Sequence, residues 1–148
     1  MIELAEDEDA ALRDDWGDLD GRVRIQPGRV GLESAASNHY PEVRVRAYTS
    51  EPRPATGSRK VPLKTLGTWP VRFKSRQVQV WSSDSYRGDE IPLDLPKSNG
   101  GRYLMRVAVG HKDIGEQDLD DYVDEYCERH DEARRGVEQF MIDFWPAS

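Results

Sequence analysis

Only one of the 148 residues is a cysteine, Cys127. A single thiol excludes an internal disulfide framework and any zinc finger built on paired cysteines. No apolar run approaches the roughly 18 residues that a membrane span requires. The acidic stretch Met1 to Asp20 has neither the basic nor the apolar segment of a secretory signal. The chain therefore reads as soluble and cytoplasmic, with no membrane contact. Catalytic signatures are missing as well. There is no Gly-x-Ser-x-Gly nucleophile elbow. Lys97-Ser98-Asn99-Gly100-Gly101 lacks the spacing of a phosphate-binding loop and reads as a hairpin turn. No repeat of fixed length is present, and no cofactor is expected.

What is present suits one folded unit. A chain of this length can bury roughly 70% of its unfolded surface. With 36% hydrophobic residues, four Trp and six Tyr, it is too rich in large apolar side chains to stay disordered. Charge is strongly segregated. Residues 1–20 hold nine acids and one base, a balance of −8; residues 21–112 carry +10; residues 113–148 carry −9. The net −7 hides this pattern. A basic middle between acidic flanks can mean flanks folded over the middle, a separate negative surface, or a polyanion site.

The first twenty residues, with Ile2, Leu4, Leu12 and Trp16 at loosely helical intervals, read as an acidic N-terminal arm, mobile or in a short helix. From Gly21 to Ser148 the pattern is that of a single β domain. Val23 and Ile25, the turn Gln26-Pro27-Gly28, then Val30 and Leu32 make a hairpin. In Val43 to Tyr48 the valines and Ala47 share one face while Arg44 and Arg46 take the other. Glu51 to Ser58 holds Pro52, Pro54 and Gly57 and reads as a loop. Short strands are expected at Val61 to Leu66, Val71 to Phe73, Val78 to Trp81 and Ile91 to Leu95. The alternation changes parity between Phe73 and Val78, which demands a bulge or turn near Ser75.

Two longer alternating runs, Tyr103 to Val109 and Phe140 to Phe144, are expected as central strands. Between them, over about residues 116–135, Leu119, Tyr122, Val123, Tyr126, Cys127 and His130 recur at helical spacing, with Asp118 as N-cap and the helix ending near Gly136. The fold class that follows is all-β, an antiparallel β-sandwich with one inserted acidic amphipathic helix near the C-terminus.

Chemistry-bearing groups are sparse. Cys127 and His130 have the spacing that could begin a metal site, but only His39 and His111 remain as further ligands. The pair therefore reads as helix stripe, and no metal site is expected. His111 and the group Ser34, Ser37 and His39 lack an assembled nucleophile and base. Two surfaces remain as binding candidates. The helix acids Asp118, Asp120, Asp121, Asp124, Glu125 and Glu128 offer a partner-binding face to a basic protein such as a nuclease. The alternative is nucleic acid on Arg44, Arg46, Arg72, Lys74 and Arg76, joined by Arg22 and Arg24, with Tyr48, Trp69 or Trp81 for stacking. Arginines on solvent faces of strands also serve as ordinary edge protection.

The stretch Ile91-Pro92-Leu93-Asp94-Leu95-Pro96-Lys97 leads into Gly101-Arg102-Tyr103-Leu104-Met105-Arg106-Val107. After a loop comes Val137-Glu138-Gln139-Phe140-Met141-Ile142-Asp143-Phe144-Trp145-Pro146. This arrangement resembles the end of the competence protein J family and related small bacterial proteins, which carry a strand, a Leu-Pro-x-Gly turn, a strand and a final aromatic strand. The likeness would cover about residues 21–146. Here the turn is longer and an acidic helix precedes the last strand. The resemblance implies a non-enzymatic partner of a nuclease, an inhibitor or immunity-type protein, and transfers no binding residue.

Overall fold

Apolar residues at every second position put strands wherever one face can be buried, and a computed structural model shows where those faces meet. It describes residues 2–7, 22–34, 40–82, 92–114, 118–123 and 135–148. The strands are β1 (Ile2–Ala5), β2 (Val23–Gln26), β3 (Arg29–Leu32), β4 (Tyr40–Ala47), β5 (Lys64–Arg72), β6 (Gln77–Ser82), β7 (Leu93–Asp94), β8 (Arg102–His111) and β9 (Arg135–Pro146). They form a five-stranded sheet in the order β2-β3-β1-β6-β7 and a four-stranded sheet in the order β4-β9-β8-β5.

Both sheets feed one apolar cluster. Ile2, Leu4, Val30, Leu32 and Val78 come from the first, and Val71, Tyr103, Met105, Val107, Val109, Phe140, Ile142 and Phe144 from the second. Phe73, just past β5, meets Phe144 edge to face with ring centroids 5.9 Å apart. Val43, Val45 and Ala47 of β4 are half-buried against the same cluster. The expected parity change near Ser75 is a turn, residues 74–76, by which the chain leaves one sheet and enters the other. As expected, β2 and β3 pair as a hairpin, and β8 and β9 are the central strands of their sheet.

Four expectations need correction. The chain near its start is neither arm nor helix: β1 fills the slot between β3 and β6, antiparallel to both, with Leu4 and Ala5 fully buried. Residues 8–21 lie outside the described residues. The two short strands expected at Val61 to Leu66 and Val71 to Phe73 are one strand, β5, with a register shift between Thr65 and Gly67. Pro70 is accommodated because β5 is an edge strand and does not need that N–H for a second neighbour.

The sheets are not wholly antiparallel: β4 pairs in parallel with β9, as Val43↔Phe140 and Val45↔Ile142. A parallel neighbour needs a long crossover, and everything from β5 to β8 lies between these two strands in the chain. The long acidic helix is also not seen. One turn, α1 (Leu119–Tyr122), is helical, residues 124–134 lie outside the described residues, and Arg135, expected in the helix, opens β9. Among the described residues no helix is long and apolar enough to cross a membrane.

The face of the four-stranded sheet turned away from the core is also partly covered. Ala108 and Trp145 point there by alternation, yet are only 3% and 4% exposed. The loop after β4 lies over this face. Arg106 Nη2 donates to the Pro52 carbonyl, and Pro62 approaches Gly110 so closely that a Cβ there would strike its carbonyl oxygen.

Candidate functional site

The acidic candidate face begins at α1. Leu119 and Val123 are buried, 6% and 0% exposed, and Leu119 packs with Val137, Ile114 and Tyr122 in a small second cluster. One turn of helix with this spacing turns Asp118 and Asp121 to solvent, and both are exposed. Asp120 belongs to the same turn. Asp124, Glu125 and Glu128, like Cys127 and His130, lie outside the described residues.

The other acids of the C-terminal segment are used differently. Glu138, 1% exposed on β9, accepts from Arg22 Nη2 at 2.8 Å and from Ser34 Oγ at 2.6 Å, while the Arg22 guanidinium lies 5.5 Å from the Phe140 ring centroid. Asp143, also on β9, is 2% exposed and takes both Nε (3.0 Å) and Nη2 (3.4 Å) of Arg46. These are charge-assisted bonds with the fork geometry of arginine, and they hold β4 to β9 and residue 22 to the start of β9. Ser34 thus donates to a carboxylate that also meets Arg22. His111 is exposed at the end of β8, its Nδ1 2.8 Å from the Lys112 carbonyl oxygen. His39 and Ser37 lie outside the described residues. No group of three metal-ligating side chains occurs among the described residues.

The basic candidates do not form one stripe. Arg44 and Arg46 project from β4, and Arg72 from β5, at opposite edges of the four-stranded sheet. Three strand spacings separate those edges, about 14 Å. Arg44 pairs with Glu42 (2.7 Å), Arg46 with Asp143, and the Arg46 guanidinium lies 5.4 Å from the Tyr48 ring centroid. Arg24 pairs with Glu33 (3.3 Å) on the other sheet. Trp69 is half-buried against the core, so its ring is not an open stacking platform.

Arg72, Lys74 and Arg76 do come together, at the end where the chain crosses between sheets. Glu6 fixes that crossing by accepting the amides of Lys74 (2.6 Å) and Ser75 (3.2 Å). Arg76 Nε donates to the Leu95 carbonyl at 3.0 Å, and Arg72 Nε reaches the Gly100 carbonyl at 3.4 Å. The segment holding those carbonyls also carries Lys97 and runs into Arg102, two cations that periodicity alone had not singled out. Arg102 is the direct cross-strand neighbour of Arg72. None of these five cations makes an ion pair with a described residue.

Comparison with family models, with curated proteins and with solved structures finds no match for this chain.

Proposed function

We propose that this protein is a non-enzymatic binding module of the cytoplasm, a β-sandwich that presents the acids Asp118, Asp120, Asp121, Asp124, Glu125 and Glu128 to a basic protein. A nuclease is the partner class favoured, because a row of carboxylates can occupy the cationic groove that such an enzyme uses for phosphates. The resemblance to the competence protein J family implies the same class. The observation that carries the reading is the division of labour at α1, where Leu119 and Val123 are buried while Asp118 and Asp121 face solvent. The acids of β9 add support. Glu138 and Asp143 meet arginines of this same chain, so these two carboxylates are already engaged.

The test is affinity capture on the immobilised full chain, followed by binding measurements with the captured protein. The expected partner is cationic, and its association rate falls as salt is raised, since rim charges act mainly on encounter. Replacing Asp120, Asp121, Asp124 and Glu125 together by lysine abolishes binding while leaving the melting temperature of the chain nearly unchanged. Undiminished binding by that variant overturns the reading. Capture of nucleic acid in place of a protein overturns it too.

A further inference from the structure

At the seam between β2 and β5 the two sheets leave a cleft of about 320 Å³. This is within the range of small-molecule sites, which begin near 300 Å³. Ile25 and Pro27 line it from the first sheet, and Pro70, Val71, Tyr103 and Ala147 from the second. Its polar groups are mostly occupied. The Tyr103 hydroxyl donates to the Pro96 carbonyl (2.7 Å), and Gln26 Oε1 accepts from Arg29 Nε (2.8 Å). The charged residues of the lining are Arg72 and Arg102.

That pair stands apart from the other strand arginines. Arg24, Arg44, Arg46 and Arg106 each meet a carboxylate. Arg72 and Arg102 are exposed, directly opposed across β5 and β8, and make no ion pair with a described residue. Like charges directly opposite on neighbouring strands repel, with Cβ atoms about 5 Å apart. At that spacing, one anionic head between the two guanidinium groups would relieve the repulsion and accept charge-assisted bonds from both. Arg72 Nε is already directed at the Gly100 carbonyl, which leaves its terminal nitrogens for the ligand.

We propose that this cleft binds a small amphipathic anion, an apolar acyl or aryl body carrying a carboxylate or phosphate head, with the head held by Arg72 and Arg102. The body lies on Ile25, Pro27, Pro70, Val71 and the Tyr103 ring. Lys74, Arg76 and Lys97 add to the positive field at the same end. The site is independent of the acidic surface, since none of its lining residues carries a carboxylate, so either proposal can fail alone.

The test is titration of the isotopically labelled full chain, followed by NMR, with hexanoate, octanoate, octyl phosphate and octanol. Octanoate and octyl phosphate are expected to give saturable shifts confined to residues 25–27, 70–72, 102–103 and 147. Comparing them tells which head the pair prefers. Octanoate binds about tenfold more tightly than hexanoate, from two further buried methylenes. The surface double variant Arg72→Gln, Arg102→Gln weakens octanoate by about tenfold or more and leaves octanol unchanged. The proposal is overturned if no probe gives saturable shifts at the cleft, or if octanol binds as tightly as octanoate. It is equally overturned if the double variant binds octanoate undiminished, or if a single-stranded oligonucleotide of about twelve residues occupies these residues and octanoate does not displace it.

Discussion

Removing Arg46 should damage the protein more than removing the acid it pairs with. Asp143 sits mid-strand in β9 with its side chain 3% exposed, while the Arg46 side chain is 43% exposed. Arg46→Ala leaves a carboxylate that water can hardly reach, and breaking a fully buried pair in this way costs about 3 to 5 kcal/mol. The half-open arginine lowers the figure, because solvent already screens the pair, so about 2 to 3 kcal/mol is expected. Asp143→Ala leaves a guanidinium that turns into water, and about 1 kcal/mol suffices. For a chain of this size each kcal/mol moves the melting temperature by about 2 to 4 °C. Thermal melting followed by circular dichroism should therefore place Arg46→Ala about 7 °C and Asp143→Ala about 3 °C below the parent. The double variant should recover part of the Arg46→Ala loss, since the stranded charge is gone. An Asp143→Ala protein as unstable as Arg46→Ala, or a double variant with simply additive losses, would refute the reasoning.

Two further tests bear on the framework of the cleft and the covered sheet face. Gly101 has φ +69°, and a Cβ there would strike the Phe73 carbonyl oxygen that its strand-end turn packs against; Gly101→Ala should cost about 2 kcal/mol or more in urea unfolding. Arg106 is 7% exposed, with its guanidinium 5.0 Å from the Trp145 ring centroid and its Nε buried without a partner among the described residues. Arg106→Met, which keeps the stem and removes the orphaned donor, should stay within about 1 kcal/mol of the parent, whereas Arg106→Ala should lose about 2 kcal/mol through the emptied space. A reversed order would mean that the charge, not the packing, holds the loop over the sheet.

Strands are legible in a sequence when one face is apolar along the whole length, and β8 and β9 meet that condition. Tyr103, Met105, Val107 and Val109, and Phe140, Ile142 and Phe144, all enter the core. β5 misleads because Gly67 and Pro70 interrupt the alternation, and only its place at a sheet edge makes them tolerable. β1 is harder still. Four residues followed by acids carry no local strand signal, and what makes them a strand is the slot between β3 and β6, a tertiary cause. Nothing local in Val43 to Ala47 announces a parallel neighbour almost at the other end of the chain. The cleft was illegible for the same reason, since Arg72 and Arg102 become neighbours only once the register of β5 on β8 is set.

Charge segregation along the chain looked like a choice between self-neutralisation and an outward field, and the strands show self-neutralisation at β9. A carboxylate buried on a central strand is costly unless a base or other donor packs against it. Glu138 and Asp143 find Arg22 and Arg46 from the basic middle. Residues 113–132 hold ten acids against one base, whereas the two acids of β9 are paired. The same logic divides the basic middle. Arg44 and Arg46, beside acid-bearing positions, are largely cancelled, whereas Arg72 and Arg102 face each other and are not. Such fields reach about 8 Å at physiological salt. The register of the strands, more than the composition, thus decides which charges are cancelled and which are not.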